Sequence, residues 1–143
     1  LEGIQAGGGT HLDASCRAYT LRNRAKGVAL LISDFFDENG FEEAIKRLSV
    51  SGSDLYVAHV LAPEETEPNL SGDLKLIDSE TRAFAEVTMS HALLRRYKRN
   101  LDGFSGEIRR YCVARGISYF LARSDTPVEA IALDILRKGG MMR

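Results

Sequence analysis

Apolar positions recur along this chain with two different periods, and the switches between them mark out its elements. From His11 to Arg24, Leu12, Cys16 and Tyr19 are spaced by four and then three residues, which lays them along one face of a helix. Thr10 stands where the cap of that helix belongs. Val28 to Ile32 is an unbroken apolar run closed by Ser33 and Asp34. A run without alternation is the pattern of a strand covered on both faces, so it predicts a central strand. After the turn Asp37-Glu38-Asn39-Gly40, residues Phe41, Ala44, Ile45 and Leu48 predict a short amphipathic helix ending near Gly52. Asp54 to Leu61 predicts a second strand, stopped by Ala62-Pro63.

Leu74 to Val87 places two extended arms around the polar turn Asp78-Ser79-Glu80-Thr81, the composition of a β-hairpin inserted outside the core. Ser90 caps a long helix in which Leu94, Tyr97, Leu101, Phe104, Ile108 and Tyr111 form a core stripe, and Gly116 ends it. Ile117 to Ala122 predicts a third strand. Ser124-Asp125-Thr126 then caps a last helix, with Pro127 at its first position and Val128, Ile131, Ile135 and Leu136 as its apolar residues. Strands separated by helices predict an α/β fold, a partial doubly wound, Rossmann-like parallel sheet flanked by helices, with the hairpin as an insertion. In such sheets ligands bind beyond the carboxyl ends of the strands. The residues to interrogate are therefore Ser33 and Asp34, Ala62 to Glu65, and Ser124 to Thr126.

Composition narrows the function classes. The 143 residues, 44% hydrophobic and 27% charged, fit one folded domain. With 19 basic against 20 acidic residues, no whole-molecule field draws in nucleic acid or an anionic membrane. The basic cluster Arg95, Arg96, Lys98 and Arg99 lies opposite the apolar stripe of its helix without interleaved aromatics, which reads as a solvated face and not a nucleic-acid site. Cys16 and Cys112 have neither metal-site nor disulfide spacing and read as reduced thiols, which places the chain in the cytoplasm. No apolar run reaches the roughly 18 residues of a membrane span. The glycine-rich opening Gly7-Gly8-Gly9-Thr10 enters mid-pattern and reads as part of a longer protein.

Asp34, directly after an apolar strand, is a rigidly held carboxylate at the sheet rim and a candidate metal ligand. Thr10, beside a glycine loop and at a helix start, offers a hydroxyl oxygen of the kind Mg²⁺ accepts. Each also has an ordinary reading, Thr10 as a helix cap and Asp34 as a turn cap. His59, in an apolar strand, reads as a hydrogen-bonded core or near-core residue, and His91 as a helix-start residue. Ser124, Asp125 and Thr126 read as structural.

The runs GGGTHL, GVALLISDFFD, GDLKLIDSET, HALLRRYKR and ISYFLARSDTPVEA, in this order and spacing, resemble the C-terminal half of the bacterial domain-of-unknown-function 58 family. The resemblance covers nearly the whole chain. It implies that residues 1–143 are the C-terminal part of a single von Willebrand factor A-like domain, and that the parent protein acts beside a MoxR-type AAA+ ATPase in assembling protein complexes. It also implies a metal-ion-dependent adhesion site in which Thr10 matches the threonine loop and Asp34 the aspartate loop. The third loop, Asp-x-Ser-x-Ser, belongs upstream of Leu1, and His11 stands where the family is often acidic. The expectation is thus a non-catalytic interaction module that binds Mg²⁺ in the intact protein and little or none in this chain, whose parent could also be membrane-anchored through upstream segments. The rival is a small α/β phosphate- or nucleotide-processing hydrolase using Asp34. The chain has no P-loop, Gly-x-Gly-x-x-Gly fingerprint or serine elbow to support it. In that fold Val28 to Ile32 would lie beside a strand that precedes Leu1, which predicts an exposed sheet edge and self-association.

Overall fold

A computed structural model of the chain describes residues 11–23, 25–68, 72–77 and 84–138. Val28–Ser33 (β1), Asp54–Leu61 (β2) and Ser118–Arg123 (β5) run parallel in one sheet with β2 in the middle. The register sets Leu30 beside Tyr56 and Ala58 beside Phe120, and alternation along each strand then separates two faces. One face carries Ala29, Leu55, Val57 and His59. Leu12–Arg22 (α1), Glu42–Ser49 (α2) and His91–Val113 (α4) cover it. Leu12, Cys16, Ala44, Ile45, Leu48, Ile108 and Cys112 from those helices complete one apolar cluster with the strand residues. Toward the opposite face, Val128–Lys138 (α5) runs beside β5, leaving a cleft of about 570 Å³ between them. Pro63–Thr66 (α3) is a single turn after β2. Gly72–Ile77 (β3) and Phe84–Met89 (β4) form a separate antiparallel hairpin, whose turn at Asp78–Thr81 lies outside the described residues. The α/β fold with a parallel sheet, flanking helices and an inserted hairpin is the one the hydrophobic pattern predicts.

Local signals set most boundaries. Ser90 Oγ accepts from the Leu93 amide at 3.2 Å and starts α4. Gly116 stops it with φ of 68°. The amides of Gly116 and Ile117 donate to the carbonyls of Val113 and Cys112, each at 3.0 Å, which is the Schellman arrangement of a helix end. The first intrahelical bond of α5 runs from Ile131 to the Pro127 carbonyl, so Pro127 occupies the cap position and not the first helical one. Arg47 on α2 pairs with Asp13 on α1 through two bonds of 2.8 and 3.1 Å. That guanidinium holds the Asp13 carboxyl below its ordinary range.

Three expectations need correction. Among the described residues β1 pairs with β2 alone, which is the open edge that the resemblance implies for this chain and not the central strand that the unbroken apolar run implies. Its exposure alternates accordingly: Val28, Leu30 and Ile32 are 52%, 47% and 62% exposed, while Ala29 is buried. Tyr19 is exposed although it shares a helical face with the buried Leu12 and Cys16. In the long helix the stripe is deep only at Leu101 and Ile108, and Tyr97 is exposed.

Ile108 is fully buried where α4 meets the sheet. Ile108→Ala is expected to lower the unfolding free energy in urea by about 2–5 kcal/mol, while Val113→Ala, on the exposed side of the same helix, changes it little.

Candidate functional site

Because the three strands are parallel, their carboxyl ends share one rim, with Ser33 level with His59 and Leu61 level with Arg123. Asp34, Ala62 to Glu65, and Ser124 to Asp125 follow directly on those ends. Asp34 is exposed. Its Oδ1 accepts from the Phe36 amide at 3.1 Å, and Ser33 Oγ accepts from the Phe35 amide at 3.0 Å, so two consecutive side chains cap the turn. Phe35 between them has φ of 62°, a conformation that costs a non-glycine residue about 1–3 kcal/mol. What holds it there is burial: Phe35 is 1% exposed and stands edge-on to Phe41 and His59, with ring centroids 6.3 and 5.5 Å away. Burying a phenylalanine contributes about 1.5–3 kcal/mol, and edge-to-face aromatic pairs add about 0.5–1.5 kcal/mol each. Packing therefore outweighs the backbone strain. With Phe35 turned inward, Asp34 faces water and Phe36 lies over Phe104, their rings stacked 5.5 Å apart.

Under this turn sits His59, the one buried polar or charged residue among those described. Its Nδ1 is 2.9 Å from the Tyr119 hydroxyl, and its Nε2 has no hydrogen-bond partner. Burial pushes the imidazole below its ordinary pKa of 6.5, with the Asp34 backbone carbonyl and carboxylate acting in the opposite direction. The same burial raises the Tyr119 hydroxyl to about 12. The apolar strand marked His59 as a core residue, and it is one. Its place beneath the Asp34 turn had no sequence signal.

Thr10 lies outside the described residues, so the structure does not show it beside Asp34. The cap position of α1 falls on His11 and not Thr10, and the His11 side chain makes no capping bond. Asp37 does that work from the other side: its Oδ2 accepts from the Leu12 amide at 2.6 Å, while its Oδ1 accepts from the Asn39 amide at 2.8 Å. Those amides, the Leu12 bond first, lower the Asp37 pKa. The start of α1 is thereby tied to the loop that carries Asp34. Asp37 was readable only as a turn residue, since its helix partner lies 25 positions away.

Elsewhere on the rim the polar residues are engaged structurally. Glu65 accepts from the Ala62 amide at 2.6 Å, Asp125 pairs with Arg123 at 2.8 and 3.1 Å, and the Ser124 amide donates to the Leu61 carbonyl. Asp34 is a hard oxygen donor suited to Mg²⁺, but no three metal-ligating side chains cluster among the described residues. These residues alone do not make a complete cation site. Neither cysteine suits nucleophilic chemistry: both are buried, burial raises both thiols, and Cys112 is pushed to about 11. The basic cluster on α4 is exposed. No helix among the described residues is long and apolar enough to cross a membrane.

Comparison with known proteins gives one match. The profile of a family described as "Protein of unknown function DUF58" matches residues 4–102, more than half of the chain. No curated protein and no solved structure matches it.

Two outcomes follow from the buried groups. His59 binds its proton less readily folded than unfolded, so between the two pKa values the unfolded chain carries more protons and stability rises with pH. The stabilisation is present above the unfolded value near 6.5 and is lost as pH falls below it. Urea titrations from pH 7 to 5 are expected to show this loss, and His59→Gln to flatten it. Asp13 and Asp37, whose pKa values are lowered from 3.8, act in a separate, more acidic window. A thiol reagent at mildly alkaline pH is expected to label neither Cys16 nor Cys112 until the chain is unfolded.

Proposed function

Since the chain belongs to the DUF58 family, we propose that it is a non-catalytic protein-interaction module whose contact point is the rim carboxylate of Asp34. The observation that carries this reading is the turn itself. A strained, fully anchored Phe35 holds an exposed Asp34 on the end of a parallel strand, and strained backbone of this kind concentrates at binding and catalytic turns. In the intact protein Asp34 and Thr10 contribute oxygen ligands to a divalent cation, Mg²⁺ by preference, and further donors come from outside the described residues. When bound, the cation supplies an open coordination position for a carboxylate of the partner. The partner that the family resemblance implies is a MoxR-type AAA+ ATPase, and the activity is assembly or maturation of protein complexes. The buried, high-pKa cysteines and the lack of phosphate-binding motifs support a non-catalytic reading over a hydrolase.

The test separates the charge from the fold. Asp34→Asn keeps an oxygen acceptor for the Phe36 amide and removes the anionic ligand. The protein carrying this chain is expected to capture a purified MoxR-type ATPase in Mg²⁺, to lose capture in EDTA, and to lose it in Asp34→Asn with an unchanged circular dichroism spectrum. Undiminished capture by Asp34→Asn, or phosphatase or nucleotidase turnover that depends on Asp34, overturns the proposal.

A further inference from the structure

His59 is the one residue among those described whose buried side chain leaves a polar atom unpaired. A buried imidazole is destabilising unless both ring nitrogens are used, because a donor or acceptor without a partner has given up its hydration for nothing. Nδ1 is used, 2.9 Å from the Tyr119 hydroxyl. Nε2 makes no hydrogen bond of full geometry. The groups that act on the ring both belong to Asp34: its backbone carbonyl, as an acceptor, and its carboxylate. The register explains this neighbourhood, since Ser33 lies level with His59 and Asp34 is next along the chain. Only one neutral tautomer suits these surroundings. With the proton on Nδ1, the ring would donate to Tyr119 and turn a bare Nε2 lone pair toward two oxygens that can only accept. The Tyr119 proton would then lack an acceptor, because His59 is the only hydrogen-bond partner of that hydroxyl among the described residues. With the proton on Nε2 every group is matched: the hydroxyl donates to Nδ1, and Nε2–H turns its positive end to the Asp34 carbonyl, an attraction that burial leaves little screened. Burial also raises the Tyr119 hydroxyl to about 12, which keeps its proton in place.

We infer that His59 is a positioning residue for the rim carboxylate: held as the Nε2–H tautomer by Tyr119, it anchors the Asp34 backbone carbonyl and so fixes the direction in which the Asp34 side chain leaves β1. One ring thereby links β5, β2 and the end of β1. It supplies what the Phe35 anchor does not. The edge-on contact of Phe35 with His59, ring centroids 5.5 Å apart, fixes where the turn sits. A contact between two rings leaves the preceding peptide plane free to tilt. The Asp34 carbonyl belongs to the peptide that joins Asp34 to Phe35, so a hold on that oxygen sets the plane from which the positive φ of Phe35 departs. What the carboxylate binds rests on the function proposed above; the tautomer and the hold on the turn do not.

The tautomer is read directly on the unmodified 143-residue chain. A long-range ¹H–¹⁵N spectrum at mildly alkaline pH is expected to show His59, identified as the signal missing from His59→Gln, with Nε2 protonated and Nδ1 bare. A proton on Nδ1, or an equal mixture of the two forms, overturns the inference. Tyr119→Phe removes one oxygen and is expected to turn that spectrum into a mixture. It is also expected to speed hydrogen exchange of the Phe36 amide, the donor to Asp34 Oδ1, by about tenfold. His59→Phe keeps an aromatic ring against Phe35 and Phe104, whereas His59→Gln keeps an N–H donor. In the protein carrying this chain, His59→Phe is expected to weaken Mg²⁺-dependent capture of the MoxR-type ATPase by about tenfold, and His59→Gln to stay within about threefold of the wild type. Equal loss in both variants, or Phe36 exchange unchanged in Tyr119→Phe, overturns the positioning role. If the wild type captures nothing, or His59→Phe does not fold, the spectrum and the Tyr119→Phe exchange decide alone; the first of these outcomes counts against the proposed function and not against the hold on the turn.

Discussion

Everything in this chain is positioned by the need to cover one face of a three-stranded parallel sheet. β2 sits in the middle, so its inward residues Leu55, Val57, His59 and Leu61 are buried whatever else happens. α1 covers them with Leu12 and Cys16, α2 with Ala44, Ile45 and Leu48, and α4 with Ile108 and Cys112. Ala44, Ile45, Ile108 and Cys112 meet there without measurable exposure. Parallel direction has a second consequence, because it puts the carboxyl ends of all three strands at one rim. The candidate contact point is thus a by-product of how the core is closed.

The turn after β1 is where core packing and presentation meet. Phe35 holds a positive φ because Phe41 and His59 bury its ring, and with that ring turned inward Asp34 is left facing outward. Three residues on, Asp37 secures the same loop to the first amide of α1. The loop is tied at both ends, by an aromatic anchor below and a helix terminus beside it. A carboxylate on such a loop keeps its direction without being buried, which an exposed surface aspartate on a free loop does not.

The two faces of β1 show what a sequence pattern leaves open. Val28 to Ile32 is apolar at every position, which implied cover on both sides. Here the α1 and α2 side is covered, and the side of Val28, Leu30 and Ile32 is not. Periodicity records what each residue would bury, but the presence of a neighbouring strand is a property of the assembled sheet. The same apolar run is compatible with a central strand, an edge or an intermolecular pair.

The parts of this protein that the sequence determined by itself are those set by contacts a few residues apart. Asp54–Leu61 was legible as a strand from its apolar density, α4 from the Ser90 cap and the Gly116 stop, and the parallel α/β class from the alternation of strands with helices. Asp34 was legible as a rim residue because it directly follows a strand. Tertiary structure alone decided that Asp37 rather than a residue before α1 satisfies the Leu12 amide, and that His59 meets Tyr119 across 60 positions beneath Asp34. The physical reason is the range of the forces involved. Helix caps and hydrophobic periods act through neighbouring backbone, whereas burial, strain and the pairing of distant polar groups exist only after the strands have chosen their order.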